Sequence, residues 1–76
     1  LKPENAFGQT LRHFRNKVKL SQEKLSQESG LDRSYISLLE RGLRQPTLTS
    51  ILKLSKALKT SSANIISEVE ALLNEN

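Results

Sequence analysis

The sequence predicts an all-α fold of five short helices, on three grounds. Apolar residues recur at three- and four-residue intervals and nowhere sustain strand-like alternation, so the period is helical. Capping residues and breakers (Ser21, Gly30, Asp32, Gly42, Pro46, Thr47, Ser61) divide the chain into segments of helical length. With 76 residues, no Cys and one His, the chain has neither disulfides nor a His/Cys zinc site to supplement a small core, so helix packing must hold it, completed by self-association.

The elements follow in order. Phe7, Leu11, Phe14 and Val18 fall on one face of a first helix over residues 5–17, with Pro3 and Asn5 suiting its start. Ser21 is a good N-cap and Glu23 complements the positive end of a second helix, 22–29, which Gly30 stops. Asp32 caps a third, running to residue 41 before Gly42. Thr47 caps a fourth, whose apolar face is Leu48, Ile51, Leu52, Leu54 and Leu58. Ser61 and Ser62 open a fifth, about 62–74, carrying Ile65, Ile66, Val69, Leu72 and Leu73. No repeat or linker divides residues 1–76, so one domain is expected.

The link between the second and third helices is only a few residues long, so they must cross steeply, and Gly30 accepts the positive φ that such a turn demands. A small side chain is then needed where they touch, and Ser26 supplies it. Counting Gln22 as position one, the chain is apolar at four, small at five, Gly at nine, and apolar at ten, fifteen and eighteen. This is helix-turn-helix spacing, met at Leu25, Ser26, Gly30, Leu31, Ile36 and Leu39.

Once Ile36 and Leu39 hold the third helix down, Arg33, Ser34, Tyr35 and Ser37 project from the domain. A polar helix with Arg in its first turn suits a DNA major groove, where Arg bonds guanine O6 and N7 and serines reach bases or phosphates. Ser21 and Gln22 open a helix whose free backbone N–H groups suit a phosphate. The charge distribution agrees. The net charge is +4, and residues 1–46 carry all of it: nine Lys/Arg stand against five acids there, while residues 47–76 are neutral. A polyanionic partner is expected.

At these residues the sequence resembles the Cro/C1-type (XRE) helix-turn-helix regulators. The resemblance spans LRHFR, LSQEKLSQESGL and GLDRSYISLLERGLRQPTL, nearly the whole chain. Within that family, SYISLLERGLRQPTL is most similar to the controller proteins of restriction–modification systems. The resemblance implies a five-helix, lambda-repressor-like domain with its helix-turn-helix at about 22–41. It implies a sequence-specific transcriptional regulator that binds a near-palindromic site as a homodimer. Arg33, Ser34 and Ser37 would face base edges. Ser21, Gln22, Tyr35, Arg44 and Gln45 would meet the DNA backbone, and Arg15 with Glu40 would tie the first helix to the third. Ser26 departs from the commoner Ala, and Leu38 stands where many relatives carry a polar or small residue. Either Leu38 meets a thymine methyl or it packs at the domain edge.

The stripe Ile65, Ile66, Val69, Leu72 and Leu73 is broad for one small core, and a subset centred on Ile65, Val69 and Leu72 or Leu73 is expected to form a dimer contact. His13 has no partners for catalysis or metal binding. No nucleophile-and-base pattern, metal spacing or Gly-rich phosphate loop occurs, so neither an enzyme nor a cofactor nor a small-molecule ligand is expected. No apolar run suits a membrane and no secretory pattern opens the chain, which makes the cytoplasm the expected location. The alternatives are a phage- or plasmid-type repressor, or an antitoxin-like module that keeps the fold and binds a protein.

Overall fold

The computed structural model describes residues 1–75; Asn76, the last residue of the expected domain, lies outside them. The described residues form five helices and no strand: α1 Pro3–Lys17, α2 Gln22–Ser29, α3 Arg33–Glu40, α4 Leu48–Ala57 and α5 Ser62–Leu73. α1 starts two residues earlier than the apolar pattern alone indicates, because Pro3 is pre-set for the first helical turn. α3 ends one residue earlier than expected, with Arg41 as its C-cap.

The caps work through specific atoms. Ser21 Oγ accepts from Lys24 N–H, Thr47 Oγ1 from Ser50 N–H and Ser61 Oγ from Asn64 N–H, each at 3.0 Å. Asp32 departs from expectation: it holds the N-cap backbone geometry, but its side chain makes no capping bond. Gly30 closes α2 at φ 77° with its N–H on the Ser26 carbonyl. Ser26 donates its hydroxyl to the Leu31 carbonyl at 2.5 Å, a bond that Ala could not make, so the unusual serine ties the turn. Lys19 and Lys59 adopt the left-handed conformation after α1 and α4, without a glycine.

α1 packs on α5 and α3, α2 packs on α3 and α4, and α4 packs on α5. Phe7 and Leu11 of α1, Leu25 of α2, Ile36 and Leu39 of α3, Leu54 and Leu58 of the α4 end, and Ile65 and Val69 of α5 meet in one core. Gly8 sets how closely α1 and α3 approach. A Cβ there would lie 2.5 Å from the Leu39 carbonyl oxygen and 2.6 Å from that of Glu40, so only glycine fits without moving backbone.

Three apolar expectations are corrected. Val18 is the C-cap of α1 and is exposed, because the helix ends before its turn comes back to the core. Leu48 and Leu52 are 73% and 53% exposed, since α4 turns Ser50, Leu54 and Ser55 inward instead. On α5 the reverse holds. Ile65 is fully buried and Val69 nearly so, packed where α5 meets α1 and α4, so Ile65 offers no surface to a second chain and Val69 reaches only the floor of a surface groove. Leu72 and Leu73 are half-buried against the same core, which leaves Ile66 as the outward member of the stripe.

Candidate nucleic-acid interface

The pose of α3 depends on one buried carboxylate. Glu40 ends the helix with its side chain fully shielded, and Arg15 of α1 clamps it with two prongs. Arg15 Nε donates to Glu40 Oε2 at 2.6 Å and Nη2 to Oε1 at 3.0 Å, while Nη1 donates to the Leu20 carbonyl. Arg12, largely exposed, adds a charge 3.5 Å from Oε1. Burial pushes the Glu40 pKa up most strongly of any single influence. The hydrogen bonds from Arg15 and Gln22, with the charges of Arg15 and Arg12, together outweigh it and hold the carboxyl below its ordinary value. The bond to Glu40 likewise raises the Arg15 pKa against its own desolvation. Glu40 is therefore ionised and the clamp is charge-assisted.

Gln22 joins this group. Its Nε2 donates to Glu40 Oε1 at 3.0 Å, and because an ionised carboxylate only accepts, the amide nitrogen must be the atom facing it. The first residue of α2 is thereby pinned to the last of α3. One amide N–H of Gln22 is occupied, and the second remains to donate outward. Ser21 uses its oxygen as the helix cap, so its hydroxyl hydrogen is also free to donate.

Gln22, Arg33, Ser34 and Ser37 line one shallow surface hollow. The helix-turn-helix geometry thus brings the three expected base-facing residues together with the start of α2, on one side of the molecule. Arg33 and Ser34 are exposed and Ser37 is half-buried. Arg44 and Gln45 are exposed in the segment after α3, outside this hollow. Tyr35 is placed differently from a free groove-wall ring. It packs against the core and its hydroxyl bonds Ser50 Oγ at 3.0 Å, which in turn bonds Thr47 Oγ1 at 2.9 Å. Tyr35 thus tethers α3 to the start of α4.

The residue pattern alone did not flag Gly8 and Arg12 as part of this arrangement. Gly8 had a readable signal, since a glycine inside a helix costs about 0.5–1 kcal/mol and calls for a packing reason. Arg12 is three residues from Arg15, but nothing in its spacing identifies the carboxylate it faces.

A helix-turn-helix family model matches residues 11–65. The chain belongs to this helix-turn-helix family. Among relatives, it is 42% identical over 69 residues to control protein C.SmaI of Serratia marcescens, covering 91% of this chain and 81% of that one. Among solved structures, the restriction–modification controller protein C.AhdI from Aeromonas hydrophila superposes with a TM-score of 0.79 at 47% identity, over 82% of this chain and 94% of that one. The controller protein C.Esp1396I, solved as a tetramer in complex with its natural 35 base-pair operator, has a TM-score of 0.88 at 25% identity over 99% of both chains. The helix-turn-helix match takes in Arg15, all of α2 and α3, and Glu40, so the residues of the clamp and of the hollow lie within the family's shared region. No helix among the described residues is long and apolar enough to cross a membrane.

Proposed function

We propose that this protein is a sequence-specific, homodimeric transcriptional regulator that reads a near-palindromic operator, and that it serves as the controller of a restriction–modification system. The observation that carries the reading is the hollow shared by Gln22, Arg33, Ser34 and Ser37, held in place by the Arg15–Glu40 clamp behind it. Arg33, Ser34 and Ser37 face base edges in the major groove. Ser21 and Gln22 donate to phosphate beside them, and Arg44 and Gln45 hold the backbone farther along. Residues 1–76 act as one domain, with 22–41 as its reading motif. It binds and does not catalyse, needs no cofactor, and works in the cytoplasm. Similarity to three controller proteins favours that role over a phage- or plasmid-type repressor or an antitoxin.

The self-association surface proposed here leaves out the fully buried Ile65 and keeps Val69 only at the floor of its groove. Leu48, Ile51 and Leu52 share one side of α4 at helical spacing, and Ile51 and Ile66 line a common apolar groove with Phe7 and Pro46. Exposed Leu48, Leu52 and Ile66 make this side the self-association surface. Dimeric helix-turn-helix proteins read half-sites about 34 Å apart, or multiples of that spacing. A body of 35 × 23 × 22 Å, doubled about a two-fold axis, reaches that spacing without a linker.

The test is an operator selected from a random DNA pool, followed by affinities for cognate and scrambled duplexes over a range of salt. Arg33→Ala should lower cognate affinity by about 1–3 kcal/mol, roughly 5- to 150-fold, with little change on scrambled DNA. Arg44→Ala should weaken both alike and reduce the salt slope by about one. If Arg33→Ala kept full discrimination, α3 would not be reading bases as described.

A further inference from the structure

Leu38 is an apolar residue set among polar ones on the outward side of α3. Ile36, Leu39 and Glu40 mark the buried side of that helix. At ~100° per residue, Leu38 lies about 150° round from the centre of that side, one turn after Ser34 and three residues before Arg41. It is half-buried, yet it is absent from the partly buried apolar residues that pack against the core, a group that includes its neighbour Tyr35. Its backbone carbonyl accepts from Leu43 N–H at 3.0 Å, which fixes the last turn of the helix beneath the side chain. The core therefore does not account for a leucine here, and solvent alone would favour a polar residue.

The surface around it narrows what Leu38 can meet. Ser34 and Ser37 are its neighbours on α3, and they share the hollow with Arg33 and Gln22. A helix that lays this side in a major groove brings Leu38 to the base edges together with the serines. Apart from bare C–H groups, those edges carry hydrogen-bond donors and acceptors and one methyl, the C5-methyl group of thymine. A leucine pressed on any donor or acceptor strips it of water and returns nothing. Against a methyl, both partners lose apolar surface to water and gain.

We infer that Leu38 is a specificity residue that selects a thymine in each half-site through its C5-methyl group. The inference rests on the DNA-reading role proposed above and adds the base it selects. Arg33 and Leu38 lie five residues apart on α3, about 7.5 Å along the axis at 1.5 Å per residue. That separation spans roughly two base-pair steps at 3.4 Å each. The thymine is thus expected two or three base pairs from the guanine that Arg33 reads.

The experiment uses the full chain and the selected operator. Each thymine of the half-site is replaced in turn by uracil, symmetrically in both halves, which removes the methyl and keeps the base pairing. Affinities are measured by fluorescence anisotropy for the wild-type chain and for Leu38→Ala. For the wild type, one position should show a loss of about fourfold per half-site, the equivalent of ~0.8 kcal/mol at 1.4 kcal/mol per factor of ten. Leu38→Ala should bind the thymine operator more weakly and be indifferent to uracil at that position, while its response at other thymines is unchanged. The thymine-to-uracil ratio should stay constant with salt, because the contact carries no charge.

A wild-type profile flat across all thymines overturns the inference, and it needs no variant. So does a Leu38→Ala profile identical to the wild type, which, with a lowered melting temperature, would make Leu38 a packing residue. In either case Arg33-dependent discrimination would survive. A chain that selects no operator at all would remove the DNA-reading role itself, a distinct outcome.

Discussion

Removing the carboxylate of Glu40 tests whether the pose of α3 depends on that one group. Glu40→Ala leaves the Arg15 guanidinium, whose side chain is only 12% exposed, with Nε and Nη2 unpaired, and also frees the amide of Gln22. Breaking a buried ion pair by deleting one partner costs about 3–5 kcal/mol. Because Arg15 keeps some contact with solvent and retains its bond to Leu20, the lower end applies, about 3 kcal/mol. A chain of this length has roughly 4–11 kcal/mol of stability at ~0.05–0.15 kcal/mol per residue, so the loss is a large share. In urea, with a slope near 1 kcal/mol/M, the midpoint should fall by about 3 M. A double-mutant cycle with Arg15→Ala should recover much of the loss, since the second change removes the stranded charge. The pH dependence supplies an independent arm. Glu40 has a lowered pKa in the folded chain, so in acid the unfolded state binds more protons. Its stabilisation is complete above the ordinary carboxylate pKa of about 4.3 and is lost as pH falls through the folded value. The stability gap between wild type and Glu40→Gln should therefore be constant at neutral pH and close in acid. A urea shift of less than about 0.5 M, or a gap that persists in acid, would refute the assignment of the clamp to this carboxylate.

Two further predictions follow from close approach and exposure. Gly8→Ala gains about 1 kcal/mol of helix propensity but drives a methyl into the backbone carbonyls of Leu39 and Glu40. The clash should win by about 1–2 kcal/mol, lowering Tm by roughly 4–16 °C and weakening operator binding; a raised Tm would mean that α1 and α3 can separate freely. Leu52→Asp with Ile66→Asp should convert the dimer to monomer in sedimentation equilibrium while leaving the helical circular dichroism signal intact. Ile65→Ala, which cuts into the core, should instead cost about 2–5 kcal/mol of stability. If the aspartate pair stayed dimeric, self-association would lie on another surface.

Most of what forms α1 to α5 was legible because it is local. Ser21, Thr47 and Ser61 each cap the helix that follows them, and Gly30 takes the left-handed conformation a short turn requires. Such signals act over three or four residues, the distance over which a sequence can be read directly. The errors concern direction. Leu48 and Leu52 lie at the same helical spacing as true core residues, and periodicity cannot distinguish a stripe facing the chain's own core from one facing a partner. Ile65 and Val69 fail in the opposite sense for the same reason. Asp32 stands at the N-cap of α3 as expected but makes no side-chain capping bond; a residue type marks where a helix starts but not where its side chain turns. Tyr35 is bonded to Ser50, fifteen residues away, and nothing in either residue's neighbourhood announces the other.

The site itself divides along the same line. Arg33, Ser34 and Ser37 could be named from one helix face, because which side of α3 is buried follows from Ile36 and Leu39 alone. What holds that face in place is non-local: Arg15 and Glu40 are 25 residues apart and Gln22 and Glu40 are 18 apart. Glu40 connects the two levels. The carboxylate that anchors α3 to α1 also accepts the Gln22 amide, so the helix proposed to face the bases and the residue proposed to face phosphate share one anchor. A change at Glu40 that left the chain folded would therefore move both contacts together. It should lower affinity for both DNAs, more for cognate than for scrambled, in contrast to Arg33→Ala, which should act on cognate DNA with little change on scrambled DNA. Comparing the two variants at a denaturant-free temperature well below either midpoint separates loss of fold from loss of pose, and a purely cognate-specific effect of Glu40→Gln would show that Gln22 does not depend on the clamp.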